Sequence, residues 1–103
     1  KKLIDDAKIL EKTGCFSIVL EKIPADLAKK VATTVNIPVI GIGAGVDVDG
    51  QVLVLHDMLG MTHEFNPRFL RRYLNIFDEA TKAIKKYSED VKNKEFPNKD
   101  EEY

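Results

Sequence analysis

The sequence predicts an α/β chain of about three parallel strands alternating with helices. Apolar residues repeat with helical period in some segments and run almost continuously in others, and the two kinds alternate along the chain. The continuous runs are short and bounded by glycine or proline, and the links between segments are brief, as right-handed strand–helix–strand units require. Composition agrees with a globular protein: 103 residues, 44% hydrophobic and 32% charged. A net charge of -1 and a pI near 6.1 provide no basic field for nucleic acid or anionic lipid. No apolar run approaches the ~20 residues of a membrane span, and the start lacks the pattern of a signal peptide. Cys15 is the single cysteine, which excludes an internal disulfide and fits a reducing, cytoplasmic setting.

Lys2 to Lys12 places Leu3, Ile4, Ala7 and Leu10 on one helical face, and Thr13-Gly14 signals its stop. Cys15 to Leu20 (CFSIVL) reads as a strand buried on both faces, with Cys15 a packed, inert thiol. Pro24 suits the first turn of a helix and Asp26 complements its dipole, so a helix is expected over Ala25 to Val35. Asn36-Ile37-Pro38 breaks it. Val39 to Ile42 is a second strand ending in glycines, and Gln51 to Leu55 a third. The link from Gly43 to Gly50 is too short for a full crossover helix, so either a helical turn is squeezed in or the two strands form an atypical unit. Asn66 as N-cap and Pro67 as first residue predict a long helix with a seam of Leu70, Tyr73, Phe77, Ala80, Ile84, Tyr87 and Val91. That seam suits the chain's own sheet or a neighbouring subunit, and its length favours the neighbour.

About three parallel strands with helices make the C-terminal part of a (β/α)8 TIM barrel rather than a whole one, which takes ~250 residues. Residues 1–91 are expected to form that part, including the long terminal helix, and residues 92–103 a charged tail that frays. The chain begins at Lys1 within a helical pattern, so an upstream segment is expected.

In such a barrel, working residues gather at the C-terminal ends of strands. Glu21 follows the first strand directly. It is either a partly desolvated base or a solvated loop carboxylate paired with Lys22. Gly43 and Gly45, in Gly41-Ile42-Gly43-Ala44-Gly45, either let a ligand approach the backbone or mark a tight turn where helix and sheet meet. The run is not a dinucleotide fingerprint, because Val46 stands where the third glycine belongs. His56 follows the third strand and either lines the pocket or caps the strand. His56, Asp57, His63 and Glu64 match no zinc spacing, so no metal ligand is assigned.

Three segments carry a resemblance. Gly14 to Pro24 (GCFSIVLEKIP) resembles the segment of ketopantoate hydroxymethyltransferases in which an apolar strand ends in L-E-x-[VI]-P. Ile37 to Gly45 (IPVIGIGAG) and Asp49 to Gly60 (DGQVLVLHDMLG) are similar to two further runs of that family. Pro67-Arg68-Phe69 and Phe96-Pro97 fall where the family has a late P-[KR]-F and F-P. The resemblance implies a transferase that moves a hydroxymethyl group from 5,10-methylenetetrahydrofolate to 3-methyl-2-oxobutanoate, giving 2-dehydropantoate in pantothenate biosynthesis. It implies that Glu21 is the proton acceptor, and that a Mg2+ ion holds the keto acid through carboxylates of earlier strands outside this chain. It also implies the N-terminal half of the barrel as a partner, and a ring-like homo-oligomer, a decamer among the candidates. Two alternatives stand beside it: a phosphate-binding barrel enzyme using the GIGAG loop, and a non-catalytic fragment that only assembles with a missing half. On any of these readings the chain by itself is expected to be inactive.

Overall fold

The computed structural model describes residues 2–103, in two compact units. The first comprises residues 2–54 with Pro67–Leu70, and the second Leu55–Asn66 with Arg71–Tyr103. The first contains helix α1 (Lys2–Lys12), strand β1 (Ile18–Glu21), helix α2 (Ala25–Ala32), strand β2 (Val39–Ile42) and strand β3 (Gly50–Gln51). The three strands are parallel and lie in the order β1-β2-β3. Ile18 pairs with Val39, Glu21 with Ile42 and Ile40 with Gly50. This is an α/β arrangement compatible with part of a (β/α)8 barrel.

Both helices pack on one face of the sheet. Ala7 of α1, Ile18 and Leu20 of β1, Ala28 and Val31 of α2, and Val39 of β2 share a single buried cluster. Side chains alternate along a strand, so Ile18 and Leu20 turn to the helices while Val19 and Glu21 turn away. Val19 is 60% exposed. The expectation of a strand covered on both faces therefore fails among the described residues, because no helix of the first unit lies over the second face. Val31 and Val39 are fully buried, and shortening either to alanine is expected to cost about 2 kcal/mol in lost burial and cavity.

The boundaries follow local chemistry. α1 ends where the Gly14 amide donates to Glu11 O and the Cys15 amide to Leu10 O, the paired bonds of a Schellman turn. β1 starts at Ile18, later than the expected Cys15. Its ladder opens with Ile18 N donating to Pro38 O at 2.9 Å, and Pro38 has no amide to extend the pairing backwards. Phe16 is consequently exposed, and Cys15 lies ahead of the strand, half-buried rather than sealed in it. α2 stops at Ala32 because the Thr33 and Thr34 hydroxyls donate back to Lys29 O and Lys30 O. Val35 is still buried, in the turn that follows.

The link between β2 and β3 contains no helical turn, which resolves the open alternative in favour of an atypical unit. Asp49 clamps it, its amide donating to Val39 O while its carboxylate accepts from Val39 N at 2.8 Å. β3 is two residues long, not the five of Gln51 to Leu55. β2 ends at Ile42, so the ladder has nothing to pair beyond the Val52 amide, which reaches Gly41 O.

In the second unit, Leu55–Met58 forms a helical turn, α3, and Ile76–Lys92 forms helix α4. The predicted start at Asn66-Pro67 is thus nine residues too early. Asn66 Oδ1 accepts from the Arg72 guanidinium at 3.0 Å instead of capping amides, and Arg72 also binds Phe65 O at 2.6 Å and Thr62 O at 3.1 Å. The amides of Tyr73, Ile76 and Phe77 donate to Met58, Leu59 and Gly60. The true cap is Asn75, which accepts from the Asp78 amide and donates to its carboxylate. Of the predicted seam, Phe77, Ala80, Ile84, Tyr87 and Val91 lie on α4 and all are exposed. Beyond α4, Phe96 stands edge-on to Tyr87 with centroids 5.4 Å apart.

Candidate functional site

Glu21 is the last residue of β1, at the C-terminal end of a parallel strand. It lies on the helix-free face, two residues beyond Val19 and beside Ile42 of β2. Its side chain is exposed and takes part in no side-chain hydrogen bond or ion pair among the described residues. The pairing with Lys22 that the sequence allowed does not form. The burial expected for this carboxylate is also missing, since its side chain is exposed among the described residues.

The next residue explains the separation. Lys22 adopts φ 53, in the left-handed region, and its amide donates to Ile42 O at 2.9 Å. Its ammonium sits 5.9 Å from the centroid of the Phe69 ring. A non-glycine residue held at positive φ at a strand end is uncommon, and it breaks the alternation that would carry the chain straight on.

Lys22 belongs to the wall of a cleft of about 600 Å³. The turn from Lys22 to Ala25 forms one side, Gly43 and Gly45 another, and Arg68 and Phe69 the third. Glu21 does not line it. Gly43 and Gly45 sit where the sequence placed them, at the C-terminal end of β2, and the structure shows what each glycine makes room for. A β-carbon at Gly43 would lie 3.0 Å from the Phe69 ring, and one at Gly45 only 2.5 Å from the Ala25 side chain. Close approach within the chain therefore accounts for both glycines. They bring Phe69 and the start of α2 onto the sheet end, and their backbone remains part of the cleft wall.

His56 lies in the second unit, exposed, on α3; its carbonyl accepts from the Met61 amide. His63, also of that unit, stacks on Phe77 at 4.8 Å, which gives it a packing role. Among the described residues, no three His, Cys, Asp or Glu side chains converge to hold a metal ion. Sequence reasoning missed Lys22, Arg68 and Phe69 as a group. No spacing rule joins residues 22 and 69, and the helix predicted from Pro67 hid the turn closed by Leu70 N on Pro67 O.

Comparison with known proteins gives a consistent picture. Residues 1–99 match the family described as ketopantoate hydroxymethyltransferase. Over its 103 residues the chain is 70% identical to the 3-methyl-2-oxobutanoate hydroxymethyltransferase of Flavobacterium johnsoniae and 68% to that of Christiangramia forsetii. Identity to the protein of the same name from Parabacteroides distasonis is 63%. Each match covers 100% of this chain and 38% of the relative, so the chain spans a little over a third of the length of these relatives.

Proposed function

The chain belongs to the ketopantoate hydroxymethyltransferase family, and from that premise we propose that the full-length protein carrying it transfers a hydroxymethyl group from 5,10-methylenetetrahydrofolate to 3-methyl-2-oxobutanoate, with Glu21 as the base. The three sequential parallel strands with both helices on one face form, on this reading, one stretch of a (β/α)8 barrel. The remaining strands come from the rest of the protein, and the helix-free face becomes the barrel interior.

The observation that carries the proposal is the position of Glu21. It is a carboxylate at the C-terminal end of a parallel strand, on the face that bears no helix, flanked by Val19 and Ile42. Among the described residues it has no ion-pair partner. Once the barrel closes over that face, Glu21 would point into the interior, within reach of a bound substrate.

The chemistry follows from the substrate. The C3–H of 3-methyl-2-oxobutanoate lies next to a ketone, so its loss leaves an enolate. Glu21 takes that proton. The enolate carbon forms a C–C bond to the one-carbon unit of the folate, the C–N bonds to that carbon break, and water provides the hydroxyl oxygen. The products are 2-dehydropantoate and tetrahydrofolate. A Mg2+ ion, implied by the family resemblance, would polarise the ketone when bound. The described residues offer no ligand set for it, and no step assigned to this chain runs through it.

Proton exchange isolates the role of Glu21. With Mg2+ present and folate absent, the full-length protein is expected to exchange C3–H of 3-methyl-2-oxobutanoate for deuterium. Glu21→Gln keeps the shape and removes the basicity, so exchange should slow by roughly 10²- to 10⁴-fold. A near-normal rate in the variant would place the base elsewhere.

A further inference from the structure

The cleft beside β1 has a charge balance that proton abstraction by Glu21 does not use. Lys22 and Arg68 line it and no acidic residue does, although the whole chain carries a net charge of -1. Neither cation enters an ion pair among the described residues, whereas other lysines of the chain do: Lys29 with Asp47, Lys82 with Glu79, Lys86 with Asp90. The remaining wall is apolar or backbone, with Ile23, Pro24 and the Phe69 ring as its larger surfaces. Unpaired cations beside an aromatic face and a proline suit a ligand with a flat apolar body and an anionic end. The volume of about 600 Å³ lies within the ~300–1,000 Å³ of sites that hold ligands of moderate size, and a small keto acid would leave most of it empty.

We propose that this cleft binds the body and carboxylate tail of the folate one-carbon donor, with Lys22 and Arg68 meeting the glutamate carboxylates and Phe69 the aromatic rings. The assignment rests on the reaction proposed above. It adds a place for the second substrate, adjacent in sequence to the base that activates the first. The keto acid, also an anion, is the competing occupant.

The test measures binding of tetrahydrofolate, with one and with three γ-linked glutamates, to the full-length protein by titration calorimetry. Lys22→Gln and Arg68→Gln should each weaken binding about tenfold, or ~1.4 kcal/mol, with the larger loss for the triglutamate. Arg68→Lys keeps the charge and should stay within about twofold of the unaltered protein, which separates lost charge from lost fold. Lys82→Gln, on α4, should leave affinity unchanged. Affinity should also fall as salt rises. Unchanged affinity in both glutamine variants would overturn the assignment, as would a raised KM for the keto acid with folate binding intact. Deuterium exchange by the unaltered protein reports the underlying reaction separately. Its absence would sink the reaction, whereas normal exchange with folate affinity indifferent to Lys22 and Arg68 would sink only the cleft.

Discussion

The two faces of the small sheet are built from alternate residues of the same strands, and they have opposite fates. Ile18, Leu20 and Val39 point to α1 and α2 and are 7%, 3% and 0% exposed. Val19 and Glu21, each one residue away from these, stand on a surface that no described helix covers. The covered face is already a finished core, with short apolar side chains in one cluster and no buried polar group among the described residues. The open face combines an apolar residue with an unpartnered carboxylate at the strand end, an arrangement that provides no stability in this chain. Strand period alone cannot distinguish them, since CFSIVL is apolar on both sides. The difference teaches that one short strand can serve stability on one side and, on the function proposed above, chemistry on the other.

Several substitutions test that division. The largest effect is expected on the open face, where Glu21→Gln should slow proton exchange by roughly 10²- to 10⁴-fold while leaving the urea midpoint of the full-length protein unchanged. A large stability loss in that variant would mean the two faces are not separable. On the covered face, Leu20→Ala should cost about 2–5 kcal/mol in urea unfolding, and a cost under ~1 kcal/mol would show a core able to collapse around the gap.

The stripe of α4 stays largely exposed even with His63 beside Phe77 and Phe96 beside Tyr87, and we propose that a neighbouring copy covers part of it. Phe77→Glu should then weaken assembly at least about tenfold by sedimentation, because a buried unpaired charge is costly. A stable monomer in the unaltered full-length protein would defeat this. Val19→Ala sharpens the barrel reading: a closed interior predicts a loss of about 1–2 kcal/mol, and a solvent-facing surface less than ~0.5 kcal/mol. The smallest effect concerns Lys86, whose pKa is raised above 10.5, first by its hydrogen bond to Asp90 and then by that carboxylate's charge. A raised pKa means the pair supports α4 fully below the ordinary lysine value and loses that support as pH rises through the folded value. Helicity should therefore be higher in the unaltered protein than in Lys86→Met at neutral pH and converge with it as pH rises through the folded value, and curves identical throughout would show that the pair adds nothing.

What the sequence disclosed depended on how local the deciding interaction is. α1 and β2 appear with the expected boundaries because Gly14, Pro38 and the glycine after Ile42 act on their own neighbours. The start of α4 was misplaced because Asn66-Pro67 is a sound local cap signal that a more distant group, Arg72, overrides. β3 was overestimated because its length is set by where β2 runs out. Glu21 was legible as the polar residue closing an apolar strand. The cleft was not, since Lys22 and Phe69 meet only through the fold, and the glycines that seat Phe69 and Ala25 read equally as a tight turn or a ligand loop.

The left-handed turn at Lys22 keeps two neighbouring charges from cancelling each other. Adjacent Glu and Lys residues at a strand end can fold back into a local ion pair, which would quench a base and occupy a cation together. Here a backbone conformation costing roughly 1–2 kcal/mol for a residue with a β-carbon holds the carboxylate on the sheet face and sends the ammonium to the cleft. On the roles proposed for Glu21 and Lys22, the peptide unit acts as an insulator between a proton acceptor and an anion receptor. Glycine would adopt the same turn without strain, but it would leave the cleft with a single cation.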